Sequence, residues 1–425
     1  MPHEDTLRVA YLGPEASFSH QAAIELFSPE GTNPEEPNSQ PEITLQPLPS
    51  FTSIFSSVQR TSSSFSTESA PGQPDSQPYD YAVIPIENST NGSVVQVFDL
   101  LGQCGLDDDK NNTDSSTTAQ YPDLQVCAEY YLPVHHCLFV HPSQTVDASS
   151  SSWSPLPERS PARQYPPIST LYTHPQVWGQ CGRFLSKHFP AGVVERIDLG
   201  STSAAASLVA REGAAPSTVS GADTEPPALG ATIAAISSRL AGQKHNLTCL
   251  AENIEDSPGD NTTRFLVLRN ARLRPRHPAF HSALVSRLQL TTTNNHDVEN
   301  RTTKAHVRHK SLITFTIPHT KPGALADALA VFKTHGFNLT SIDTRPSRRR
   351  NWHYVFFVEC EEADTEEDNA QGQREAIALD HGGGHDTNDL DANLKSILHG
   401  LATYTESLRY LGRFVDQLQT NGEEQ

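Results

Sequence analysis

Two periods of apolar spacing alternate along this chain, and each change of period marks the edge of an element. Residues 7–12 are a short apolar run ended by Gly13 and Pro14, after which Phe18, Ala22 and Leu26 recur every fourth residue. The change repeats downstream. Residues 81–86 read as a buried strand restricted near its end by Pro85, and Val94, Val97, Phe98 and Leu101 then follow at helical spacing. Between them lie Glu87, Asn88, Ser89, Thr90, Asn91, Gly92 and Ser93, whose hydroxyl and amide groups would sit beside the free N–H groups of a helix start, a ready anion site. Strand and helix patterns alternate in this way from residue 7 to 268, which predicts an α/β architecture rather than a bundle or sandwich. Beyond it, residues 311–317 alternate as a strand, and Pro322-Gly323 opens a helix with Leu325, Ala328, Leu329 and Phe332 inward. Strands over 338–343 and 354–360, a helical face of Leu394, Ile397, Leu398 and Leu401, and a strand over 407–414 complete a βαββαβ order, an α+β ferredoxin-like module.

Long stretches break these patterns. Segments 28–50, 61–78, 103–120, 141–167 and 214–227 are rich in Ser, Pro, Thr, Asp or Gln and read as inserted surface loops. They account for a low hydrophobic content, 36%, in a chain of 425 residues that has room for two or three domains. Residues 361–391 hold eleven Asp or Glu against one Arg and so carry ten of the nineteen net negative charges; the acidity is mostly a property of that insertion. Residues 269–310 hold nine Arg or Lys against two acidic residues. With Phe280 as their one aromatic and no helix–turn–helix or zinc pattern, they read as a basic interdomain linker, not a nucleic-acid site. No run of eighteen apolar residues and no leader is visible, so a cytoplasmic protein without a membrane partner is expected. Cys104, Cys127, Cys137, Cys181, Cys249 and Cys360 show no paired spacing that would mark a disulfide framework or a zinc site.

The segment PIENSTNGSV at 85–94 resembles the PIENS-x-x-G-x-V motif of prephenate dehydratases, which convert prephenate to phenylpyruvate in phenylalanine biosynthesis. The family's other motifs follow in order. YLGPEASFSHQAA at 11–23 resembles GPxGTFSxxAA, with Ala16 for glycine and Ser17 for threonine. THPQVWGQC at 173–181 resembles SHPQ-x-x-x-QC, STSAAA at 201–206 resembles an STxxAA helix start, and NTTRFLVL at 261–268 resembles N-x-TRF-x-x-x. The resemblance implies a catalytic domain over 5–270 folded like type II periplasmic binding proteins, with lobe 1 near 5–100 and 230–270 and lobe 2 near 120–230. A linker would run over 271–309 and a regulatory domain over 310–417. No cofactor or metal is implied, because aromatisation drives loss of carbon dioxide and water once the dianion is held and oriented.

Carried over residue by residue, the family places Thr263 at the centre, its hydroxyl donating to the leaving ring hydroxyl. Glu87 and Asn88 match an active-site Glu-Asn pair, Asn88 as an amide that hydrogen-bonds a carboxylate or hydroxyl and Glu87 as a residue that organises its neighbours or acts protonated, with a turn or helix-cap residue as the alternative. Thr173 and Gln180 match a Ser and a Gln of the site. Seven residues apart, they would share one helical face, Thr173 capping and Gln180 entering the cleft. Ser17, Ser89, Gly92, Ser201, Thr202, Ser203, Arg264 and Phe265 complete the expected substrate-binding set. For Arg264 a carboxylate contact and a structural salt bridge both stand; Phe265 reads as core or cleft wall. Ser201, Thr202 and Ser203 cap a helix whose positive end could also catch a carboxylate. His174 reads as structural, and Ser238 as a residue behind the site.

KPGALADALAVFKTHGFNLTSIDTRPSRR, at 321–349, resembles the ACT domain of the same enzymes, where GAL and ESRP motifs bind phenylalanine between subunits. Gly323, Ala324 and Leu325 match the first motif; Asp343, Thr344, Arg345 and Pro346 stand for the second, with Asn338 and Leu339 alongside. The implied partners are prephenate as substrate, phenylalanine as inhibitor and a second or further copies of the chain, as a homodimer or homotetramer. A chorismate mutase fusion is not expected, since twelve residues precede Gly13. Arogenate dehydratase, whose substrate differs by an amino group, and a non-catalytic ligand sensor on the same fold are the alternatives.

Overall fold

A computed structural model describes residues 6–27, 41–60, 78–105, 119–144, 165–190, 192–213, 232–278, 280–282, 284, 308–348, 350–362 and 392–418. They fall into two compact units, one drawn from Met1–Ser57, Asp75–Val94 and Tyr130–Leu266, the other from Val58–Pro74, Val95–Glu129 and Val267–Gln425. The segments 61–77, 106–118, 145–164, 214–231 and 363–391, which hold most of the expected insertions, lie outside the described residues.

The first sheet runs β2-β1-β3-β11-β5. Its strands are β1 (Thr6–Leu12), β2 (Glu42–Leu48), β3 (Tyr81–Asn88), β5 (Leu124–Pro133) and β11 (Thr262–Asn270), with the short β4 (Gly92–Ser93) paired to β3. Strand β1 pairs in parallel with β2 on one side and β3 on the other, and its five central residues are all buried. Burial on both faces is why β1 and β3 read as nearly continuous apolar runs. The loop expected over 28–50 instead contains β2, paired residue for residue with β1 from Thr6 and Glu42 to Leu12 and Leu48. It lies at the sheet's edge, half exposed, with polar Thr44 and Gln46 and a tolerated Pro47, so no apolar run betrays it. Helices α1 (Phe18–Phe27) and α2 (Phe51–Gln59) follow β1 and β2.

The second sheet runs β10-β6-β9-β7-β8, formed by β6 (Cys137–Val140), β7 (Ile168–Thr173), β8 (Glu195–Asp198), β9 (Thr232–Ser237) and β10 (Thr248–Ala251). Strand β7 is parallel to β8 and β9, and β6 is antiparallel to β9 and β10. Helices α4 (Pro175–Gln180), α5 (Gly182–His188), α6 (Thr202–Glu212) and α7 (Arg239–Lys244) accompany it. Leu138, Leu171, Val177, Leu185 and Ile236 form one core cluster, and Phe139, Ala205, Val209, Ala235 and Ala241 another. The expected lobe boundaries need correction. Strands β9 and β10 lie inside the segment expected to return to lobe 1 but join the second sheet, while β5, expected in lobe 2, joins the first. Which sheet a strand joins depends on long-range pairing, and local periodicity does not record it.

In the other unit the helix α3 (Val95–Leu101) buries Val97, Phe98, Leu100 and Leu101. The C-terminal module consists of β12 (His309–Thr316), α8 (Ala324–Thr334), β13 (Phe337–Pro346), β14 (Tyr354–Glu362), α9 (Ala392–Tyr404) and β15 (Ser407–Val415). Its sheet is antiparallel in the order β13-β14-β12-β15, the ferredoxin-like arrangement that the βαββαβ pattern predicts. Both helices pack on one face through Ala328, Val331, Phe332, Leu394, Ile397 and Leu401, against Ile313, Phe315 and Val358. Leu325, Leu329 and Leu398 line the same cluster half-buried.

Candidate active site

Strand β3 ends in a tight hairpin. Glu87 pairs with Ser93 and Asn88 with Gly92, whose φ of 75° is the left-handed turn conformation that glycine adopts freely. The Asn88 side chain organises this turn: its Oδ1 accepts from the backbone N–H of Thr90 (3.1 Å) and of Asn91 (3.1 Å). The helix start expected here is therefore a hairpin, and the N–H groups expected to face an anion face Asn88 instead; α3 begins only at Val95.

The opposite edge of the Asn88 amide reaches β11. Nδ2 shares its two protons among three acceptors, Asn261 Oδ1 (3.0 Å), the Thr262 carbonyl (3.2 Å) and Thr263 Oγ1 (3.0 Å). Backbone N–H groups on one edge and a backbone carbonyl on the other leave this amide one possible orientation, so at Thr263 it is the donor. The threonine oxygen accepts, and its O–H has no acceptor among the described residues. Ser89 stitches the hairpin to β11 by accepting from Thr262 N (2.9 Å) and donating to the Asp260 carbonyl. Its hydroxyl is thus committed to the backbone.

From the second sheet comes Gln180, the last residue of α4. Its Nε2 donates to Thr90 Oγ1 (3.1 Å) and its Oε1 meets His136 Nε2 (2.8 Å). Asn88, Thr263 and Gln180 therefore join one hydrogen-bonded group, linked by Thr90, which also donates to Asn88 Oδ1 (2.7 Å). None of Thr90, His136 and Asn261 was among the expected site residues: Thr90 is a variable position of the PIENS-x-x-G-x-V stretch, Asn261 is the N of N-x-TRF, and His136 lies outside the motifs. Asn261 is 2% exposed and its Nδ2 has no partner among the described residues.

Several expected contributors lie elsewhere or are engaged. Thr173 ends β7 rather than capping α4, which His174 caps through Nδ1; fully buried, Thr173 donates to the Ile236 carbonyl (2.7 Å) on the neighbouring strand. Adjacent strand residues face opposite ways, so Arg264 points away from Thr263, buried over the Tyr131 ring at 5.7 Å. Phe265 is buried in the core. Glu87 is exposed, with no carboxylate partner among the described residues. Ser17 caps α1, accepting from His20 N (3.3 Å) and donating to the Leu12 carbonyl (3.2 Å).

Ser201 caps α6 by accepting from Ala204 N (3.0 Å). Ser203 donates to the Glu15 carbonyl (2.6 Å), and Ser238 caps α7 while donating to the Ala16 carbonyl (3.3 Å). Together with the Lys244–Glu15 ion pair, these contacts fasten the 13–17 turn to the second sheet's helices. Ala16 sits in that turn at φ 61°, the conformation that explains a glycine at this place in the resembling motif. Thr202 remains at the helix start, where first-turn N–H groups have no intrahelical acceptor.

In the C-terminal module Gly323, at φ 82°, caps α8, whose first residue Ala324 is buried and whose second, Leu325, is half-buried. Asn338 donates to Glu361 (3.0 Å), and Leu339 is exposed. Along β13, Asp343 and Arg345 share one half-buried face, with Thr344 and Pro346 on the other. Arg345 Nε pairs with Asp99 at 2.5 Å, and Arg348 joins the same carboxylate at 2.8 Å.

Comparison with known proteins gives this arrangement its family. Residues 9–272 match the model of the prephenate dehydratase domain and residues 311–371 that of the ACT domain. A Saccharomyces cerevisiae protein described as a probable prephenate dehydratase is 30% identical over 364 residues, 83% of this chain and 87% of the relative. The bifunctional chorismate mutase/prephenate dehydratase of Stutzerimonas stutzeri is 28% identical over 84% of this chain, which spans 66% of that relative's length. The solved prephenate dehydratase of Arthrobacter aurescens, in complex with L-Phe, shares the fold with a TM-score of 0.55 at 20% identity, covering 97% of this chain and 91% of that one. The chain belongs to the prephenate dehydratase family, with an ACT domain following the dehydratase domain.

Proposed function

We propose that this protein converts prephenate to phenylpyruvate and that the Thr263 hydroxyl supplies the proton to the departing oxygen. One observation carries the reading: Asn88 donates to Thr263 Oγ1 at 3.0 Å, which turns the threonine O–H outward as a donor. As the ring C–O bond breaks, its electron pair leaves with the oxygen, which takes the proton and departs as water. The ring C–CO₂⁻ bond breaks in the same direction, its pair entering the ring to complete the aromatic system while carbon dioxide leaves. Solvent restores the proton to Thr263. A threonine hydroxyl is a weak acid, so proton transfer accompanies bond breaking and does not precede it.

Neutral donors suit a dianion brought to a chain with a net charge of −19, which offers no long-range attraction of its own. Thr202 and the first turn of α6 are the proposed carboxylate contacts, with the Asn261 amide as a further donor. Phenylalanine is the proposed inhibitor, bound by the ACT domain at Gly323–Leu325 and the 343–346 stretch. Strand β13, an outer strand of its sheet with Leu339 and Ile342 exposed, is the proposed edge for pairing with a second copy. No helix among the described residues is long and apolar enough to cross a membrane, and the proposed location is the cytoplasm.

The test is turnover of purified protein given prephenate or arogenate, with and without millimolar phenylalanine. Phenylpyruvate should form from prephenate, and Thr263→Ala should lower kcat on the order of 10²- to 10⁴-fold. Turnover of arogenate alone would reassign the substrate, and none of either would remove the reading.

A further inference from the structure

We infer that His136 is a positioning residue for this reaction: its Nε2–H begins a one-way chain of hydrogen bonds that ends by presenting the Thr263 hydroxyl proton to the substrate. The inference rests on the proposed dehydration and adds a residue that lies in none of the motifs.

The direction of every bond follows from chemistry. Backbone N–H groups at Thr90 and Asn91 fix Asn88 Oδ1 as an acceptor. Thr90 Oγ1 lies 2.7 Å from that oxygen, and only the hydroxyl carries a proton, so Thr90 donates to Asn88. With its proton spent, Thr90 can only accept from Gln180, which places the Gln180 NH₂ toward Thr90 and its carbonyl oxygen toward His136. That oxygen accepts, so His136 Nε2 must bear a proton. The chain then reads His136 to Gln180 to Thr90 to Asn88 to Thr263, each member donating to the next.

Two further observations agree. His136 is 1% exposed, and its Nδ1 is buried with no partner among the described residues. A bare ring lone pair there costs less than an orphaned N–H, which favours the Nε2-protonated tautomer that the chain requires. Burial also holds the ring's pKa below its ordinary value and so keeps it neutral. The residue is held through its backbone as well as its ring. Glu255 Oε2 accepts the His136 backbone N–H at 2.9 Å while Oε1 meets His135 Nδ1 at 2.7 Å, and the Phe18 ring lies edge-on at 5.8 Å. Asp256 N donates to the Gln180 backbone carbonyl at 2.7 Å, so neighbouring residues of one loop brace the backbone of both His136 and Gln180. Chained hydrogen bonds polarise one another, so a fixed origin strengthens the last donor.

The test compares His136→Phe, which keeps a planar ring without N–H, with His136→Gln, which returns an amide N–H at similar reach. His136→Phe should lower kcat by up to about 100-fold through misplacement of the donor chain, with a smaller change in KM. His136→Gln should recover most of the loss, and His136→Phe should add little in a Gln180→Leu background, since the two act in series. Nitrogen NMR of ring-labelled full-length protein, with the signal assigned by its loss in His136→Gln, should show a neutral ring protonated at Nε2. Wild-type kcat in His136→Phe, no recovery in His136→Gln, additive losses, or a proton at Nδ1 would each overturn the inference. If His136→Phe does not fold, the glutamine variant and the NMR signal decide. The NMR signal needs no substrate, so inactivity of the wild type toward prephenate would fell the proposed reaction while leaving the tautomer to be judged.

Discussion

The junction around Thr263 and the foot of the ACT sheet solve the same problem, polar groups held away from water, by opposite means. Around Thr263 every linking side chain is an amide, a hydroxyl or a histidine kept neutral by burial. At the start of β12, Lys310 is 2% exposed and lies 2.7 Å from Asp416, 3.4 Å from Glu129 and 4.0 Å from Glu359, all three buried. Glu129 also accepts from Gln417 N (2.9 Å), and Thr340 donates to Glu359 (3.0 Å). Neutral donors give direction at small desolvation cost, which is what the role proposed for Thr263 needs. Buried charges give strong attachment, but each partner depends on the others to offset its desolvation. One region is therefore built for orientation and the other for cohesion, and substitutions should separate the two.

The largest effect on stability is expected at the charged foot. Lys310→Met, which leaves buried carboxylates facing an apolar side chain, should lower unfolding free energy by about 3–5 kcal/mol, read by denaturant melts. At the neutral junction the effect is smaller and depends on pH. Because burial lowers the His136 pKa, the unfolded chain binds more protons there below about pH 6.5, the ordinary histidine value. That contribution to stability is complete above this range and is lost as pH falls through it, by at most about 1.4 kcal/mol per pH unit. His136→Gln should flatten the slope relative to wild type; His20 and His174, also lowered by burial, contribute equally to both proteins.

Asp99→Asn, which weakens the half-exposed Arg345 and Arg348 pairs, should cost no more than about 1 kcal/mol in the same melts. Smallest of all is Ala16→Gly. Relief of a left-handed alanine, about 1–2 kcal/mol, is set against a buried methyl worth about 0.8 kcal/mol, so the melting temperature should rise slightly.

Legibility in the sequence followed the same divide between local and long-range causes. The ACT module was readable end to end, because SLITFTI alternates cleanly and both helices keep their apolar spacing. Strand β2 was not, since an edge strand with Thr44, Gln46 and Pro47 looks like a loop. At the site, Asn88, Gln180 and Thr263 came from motifs, whereas Thr90 was one hydroxyl among several in a polar turn and His136 sat at a strand end with no motif around it. Thr173 and Ser203 carry hydroxyls that the structure commits to backbone carbonyls, a use that residue type cannot reveal. Arg264 is different: alternation along a strand already placed it opposite Thr263, and that signal was available.

The most direct test of the central claim is the kcat of Asn88→Asp for phenylpyruvate formation from prephenate. The substitution preserves shape but replaces the NH₂ that donates to Thr263 with an oxygen that would draw the threonine proton toward itself. A fall of about 10²-fold or more in a protein with wild-type folding is the predicted result. Wild-type kcat would contradict the account, because Thr263 would then donate its proton without the amide that turns it outward.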